Sequence, residues 1–63
     1  MTQEELYELI AEAEAGNVES MNKLVFIFSE LSERCTAAGK IEPALNFLEQ
    51  ATKWNNELKR RGM

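Results

Sequence analysis

Apolar positions along the chain fall into three runs with helical spacing, separated by two near-copies of one short corner. In the first run Leu6, Leu9, Ile10 and Ala13 recur at i, i+3, i+4 and i+7, which places them on one helical face. In the second, Val18, Met21, Leu24, Val25, Phe28, Leu31, Cys35 and Ala38 cover about half the helix circumference at ~100° per residue. An outer helix of a bundle needs a narrower stripe, so this width predicts a central helix with a neighbour on each side. In the third run Ile41, Ala44, Leu48, Ala51 and Leu58 form the stripe, with Phe47 and Trp54 along one margin and Leu45 on the other.

Signals for starting and stopping agree with these runs. Thr2 followed three residues later by Glu5 has the form of a capping box, which satisfies backbone donors left free at a helix start. Gly16 and Gly39 end the first two runs, because glycine takes up a positive φ without steric cost. Pro43 falls in the first turn of the third, where a missing N–H is harmless. Lys59, Arg60 and Arg61 ahead of Gly62 suit a helix end by dipole and by cap. The predicted helices cover about residues 2–15, 18–38 and 42–61.

The two corners read AGNVES, residues 15–20, and AGKIEP, residues 38–43. In each, Ala-Gly stops a helix, and Val18 or Ile41 is expected to pin the corner into the core. Glu19 or Glu42 then meets the positive start of the next helix. Short corners imply antiparallel neighbours. The prediction is therefore a single all-α domain spanning residues 1–63, a three-helix bundle running up, down, up. Gly16, Val18, Gly39, Ile41 and Pro43 are its structural corners.

From Phe28 onward the spacing is more particular. Ser32, Gly39, Ala44, Leu48 and Ala51 combine a small residue in mid-helix, a glycine corner and two alanines seven apart on one face. Together with the stretch ALNFLEQATKW, and with AEAGNVESMNKL at residues 13–24, this resembles the tetratricopeptide repeat family, including its Sel1-like branch. The likeness covers about two-thirds of the chain and about one and a half repeats, whereas stacked repeats usually need three or more. Cys35 stands where that family usually has an aromatic, and Asn56 where a proline often closes the repeat. The resemblance implies a paired second and third helix and a binding or scaffolding role rather than catalysis.

Composition narrows the function classes. A chain of 63 residues buries only ~60% of the surface it exposes when unfolded, so its core is marginal without help. One cysteine, Cys35, makes an internal disulfide impossible, and one Cys with no His falls short of the usual zinc ligand set. A net charge of −4 works against a nucleic-acid partner, and three basic residues at the end do not offset it. No apolar run is long enough to cross a bilayer, and the acidic amphipathic start MTQEELYEL does not read as a signal or transit peptide. A cytoplasmic protein without membrane attachment is expected.

Candidate chemistry is sparse. There is no His, no Gly-rich phosphate loop and no paired nucleophile and base. No catalytic residue, cofactor, metal or small-molecule substrate is therefore expected. Cys35 lies in line with Phe28 and Leu31 and is expected to be a small buried group. Phe26 stands out, because the wheel puts it in the middle of the polar arc among Asn22, Lys23, Ser29, Glu30 and Glu33. With Ile27 at the edge of that arc, the run LVFIF is apolar on nearly every side. Phe26 and Ile27 are thus expected to anchor a partner, most simply a second copy in a dimer. Glu4, Glu8 and Glu12 form an acidic strip, read first as a solvated face and alternatively as a surface for a basic partner or the basic end of a second copy. The expected function is a small non-enzymatic protein–protein interaction module that self-associates through its central helix. Rival readings are an acidic adaptor, inhibitor or secretion-type co-chaperone, and a subunit capping a larger helical assembly.

Overall fold

The computed structural model describes residues 2–62. They form helices α1 (Gln3–Glu14), α2 (Val18–Ala37) and α3 (Ile41–Arg60), and no strand occurs among the described residues. The predicted bounds differ from these by only one residue at each helix end except the start of α2, where they agree.

The caps are local chemistry. Thr2 Oγ1 accepts the Glu5 N–H at 3.2 Å, and Asn17 Oδ1 accepts the Ser20 N–H at 3.1 Å. Asn17 is the side-chain cap of α2, a role that the sequence reading had not assigned. Lys40 supplies no such cap to α3. Pro43, third in that helix, removes one of the donors a cap would have served.

Both corners are built alike. The Asn17 N–H donates to the Glu12 carbonyl and the Gly16 N–H to that of Ala13, each at 3.0 Å. Twenty-three residues on, the Lys40 N–H donates to the Cys35 carbonyl at 2.8 Å and the Gly39 N–H to that of Thr36 at 3.0 Å. Each pair is a Schellman closure, which needs a left-handed residue at the glycine position. Gly16 and Gly39 supply it with φ of 102° and 77°.

Packing makes α2 the shared element. Met21 and Leu24 are fully buried, and Ala13, Phe28, Ala51, Trp54 and Leu58 complete the core around them. Leu6, Leu9, Ile10, Val18, Val25, Leu31 and Phe47 pack around its edge. The helices α1 and α3 each lie against α2, yet no Cα of one comes within 8 Å of a Cα of the other among the described residues. Hence the Cα frame is a slab of 34 × 25 × 13 Å.

The pairing of α2 with α3 is the closer one, and small residues make it so. Ala44 and Ala51 are buried on the α3 side, and Ser32 Oγ donates to the Ala44 carbonyl at 2.8 Å. Phe28 and Phe47 stack across the same interface with centroids 6.0 Å apart. At the other edge Glu12 ties α1 to α2, its Oε2 accepting from the buried Ser20 hydroxyl at 2.8 Å.

Expectations about five core positions are corrected. Ile41 does not pin its corner, since 57% of its surface is exposed, whereas Val18 does pack against the core. Leu48, expected in the buried stripe, is exposed, while Trp54, expected at its margin, is buried. The helix is rotated so that its aromatic flank faces inward, because an indole offers more apolar area than a leucine. Ala38 is exposed at the helix end, and Cys35 is half-buried rather than enclosed.

Replacing Leu24 with Ala is expected to cost about 3 kcal/mol, the range for a fully buried leucine. In a domain this small, that leaves much of the chain unfolded at room temperature. Ile41→Ala should stay within about 0.5 kcal/mol of wild type. Urea unfolding followed by circular dichroism distinguishes the two, and an equal loss at both positions would contradict the core assignment.

Candidate functional site

The surface resolves into two apolar features and one cluster of charge. Phe26 comes from α2, and 73% of its surface is exposed. On the wheel it faces away from the residues that α2 gives to α1, such as Ser20, Leu24 and Leu31. It faces equally away from Phe28 and Ser32, which meet α3. Its exposure therefore follows from helix geometry, since both neighbours already occupy the other sides of α2.

Ile27 lies elsewhere. It is half-buried and lines a hollow of about 400 Å³ between the start of α1 and the second half of α2, with Thr2, Leu6, Leu31 and Arg34. Phe26 and Ile27 are thus on neighbouring flanks of α2, with Lys23, Glu30 and Arg34 between them on the wheel. Glu4, Glu8 and Glu12 are all exposed on α1, and the Glu12 carboxylate also accepts from Ser20 at the corner between α1 and α2.

The second apolar feature was read differently in the sequence. Ile41, Leu45 and Leu48, at i, i+4 and i+7, form a continuous strip on α3 with exposures of 57%, 54% and 49%. Trp54 marks the flank of α3 turned toward α1, since it shares a hollow with Ala13. The strip runs along the opposite flank. A signal for it was present in the sequence, because the apolar positions of α3 together span more than one helix face.

Charge gathers at the end of α3. Glu57 Oε1 accepts from Arg60 Nη2 at 2.7 Å, and Arg61 Nε lies 3.3 Å from the same oxygen. The hydrogen bond from Arg60 is the main reason that the Glu57 carboxyl is held below its ordinary value, with the two guanidinium charges adding to it. Arg60 is pushed up in turn by the same bond. Two of the three basic residues at this end are therefore engaged with a carboxylate. Lys53 Nζ lies 4.9 Å from the Trp54 ring centroid, a cation–π distance.

Among the described residues no three His, Cys, Asp or Glu side chains gather closely enough to hold a metal ion. No helix there is long and apolar enough to cross a membrane. What this surface offers chemically is apolar contact and charge.

Because the Glu57 carboxyl is depressed, its ionised form contributes stability above the ordinary carboxylate range. That contribution is lost as pH falls through its lowered value. Carboxyl-detected NMR titration should place the Glu57 midpoint below that of an ordinary glutamate, and Arg60→Ala should raise it. An unchanged midpoint in that variant would show that the Arg60 contact is not formed in solution.

No family model matches this chain, and neither the curated proteins nor the solved structures contain one significantly similar to it.

Proposed function

We propose that this chain is a non-catalytic protein–protein interaction module that pairs with a second copy of itself across the outer face of α2. Phe26 carries this reading. It is the most exposed large apolar side chain of the described residues, and it sits on the helix that supplies the centre of the core. Burying one such ring is favourable by roughly 2–3 kcal/mol, and a two-fold interface buries it twice.

The pattern of α2 supports that partner. Phe26 is near the middle of a 20-residue helix, so an antiparallel two-fold axis there keeps most of both helices in register. With the axis between positions 26 and 27, the two Phe26 rings meet on one flank and Lys23 faces Glu30 of the second copy near the centre. That pairing of opposite charges sets register more than it adds affinity. Repeat-like pairing of α2 and α3 is consistent with a scaffolding role, as the buried Ala44 and Ala51 keep that hairpin closed.

Sedimentation velocity from micromolar to millimolar concentration tests the reading. The wild-type chain should shift from monomer to dimer across that range. Phe26→Glu should remain monomeric with unchanged helix content, because it alters an exposed position. A wild type that stays monomeric throughout would refute self-association.

A further inference from the structure

The strip of Ile41, Leu45 and Leu48 is a separate surface, and its surroundings say what would cover it. Glu42 and Glu49 stand seven residues apart on the flank of α3 beside it. With Leu45 and Asn46 they border a shallow open hollow on the outward side of α3. Both carboxylates are exposed. Neither takes part in the ion pairs formed among the described residues, which involve only Glu30 and Glu57.

A second copy fits this strip poorly. Antiparallel pairing centred on it sets Ile41 against Leu48, and brings Glu42 of one copy beside Glu49 of the other. Parallel pairing turns the glutamate flank of each copy toward the flank of Ala44 and Ala51 on the other, which α2 already covers. Sliding the copies until the basic end of α3 meets these acids replaces the leucines opposite with Thr52, Asn55 and Lys59. Like charges meet, α2 stands in the way, or the apolar match is lost, in contrast to the register available on α2.

We infer that the flank of α3 formed by Ile41, Leu45 and Leu48, with Glu42 and Glu49 beside it, docks an amphipathic helix from another protein. That helix has leucine-like residues on one face and Lys or Arg along its edge. Apolar anchors at i, i+4 and i+7 match the repeat of such a helix, and the two carboxylates select its charge. This surface is independent of the pairing proposed for Phe26, so either can fail without the other.

The test titrates the isotope-labelled full chain by NMR with a designed helical peptide of Leu and Lys in amphipathic order. Two controls are a peptide with Glu replacing Lys, and one of the same Leu/Lys composition with the apolar face broken up. The amphipathic basic peptide should shift the amides of residues 41–49 and saturate. Leu45→Lys should weaken it by about tenfold or more, corresponding to loss of one well-placed anchor and an added repulsion. Because Leu45 is exposed, that variant should keep its helix content, and Phe26→Glu should bind the peptide as well as wild type does. The inference is overturned if the peptide does not bind, or if the broken-face peptide binds equally well through charge alone. Concentration-dependent shifts of the same amides without peptide would overturn it too, because a second copy would then be the occupant.

Discussion

Met21 and Leu24 fill the place where α1, α2 and α3 have to be joined, and neither outer helix can replace them. The backbones of α1 and α3 stay apart, so their cohesion runs through side chains of α2 and through Trp54, which reaches toward Ala13. A central helix shared by two neighbours is an economical way to bury a core with few residues. It also makes the fold depend on one helix. Loss of a methyl group at Leu24 is felt on both sides, whereas the same loss at Ile41 is felt on neither.

That arrangement decides what remains outside. Once α2 has given two flanks to its neighbours, its third flank must face outward, and Phe26 goes with it. Once α3 has turned its alanines and Phe47 toward α2 and Trp54 toward α1, the leucines on its far flank have no internal partner. The exposed apolar surface is thus the complement of how the core is filled. On α2 it comes with charges of both signs, and on the adjoining part of α3 with carboxylates, so the two surfaces suit different partners.

Much of the fold was legible in the sequence because it rests on short-range chemistry. Gly16 and Gly39 donate to carbonyls three residues back, Asn17 and Lys40 after them to carbonyls five back, and Thr2 caps an amide three residues ahead. Such signals need no knowledge of the rest of the chain. The Asn17 cap is equally local, its side chain accepting from an amide three residues ahead. The width of the α2 stripe announced two neighbours, because an apolar arc has to be covered on every side it faces. The outward position of Phe26 was readable in the same way.

What the sequence could not decide was the rotation of α3. From Ile41 to Leu58 its apolar residues span more of the helix than one partner can cover, and periodicity assigns them equal standing. The choice came from long-range fit: Ser32 donates to the Ala44 carbonyl, Phe28 stacks on Phe47, and Trp54 joins Ala13 and Met21 in one core. Tertiary packing likewise tied Glu12 to Ser20 of α2 and placed Ile27 beside α1 rather than with Phe26. The sequence by itself determined three helices, two matching corners and a central α2, through interactions within a helix turn or two. Only the tertiary structure decided which apolar flank of α3 stayed in water, since that depends on complementary shape between residues far apart in the chain.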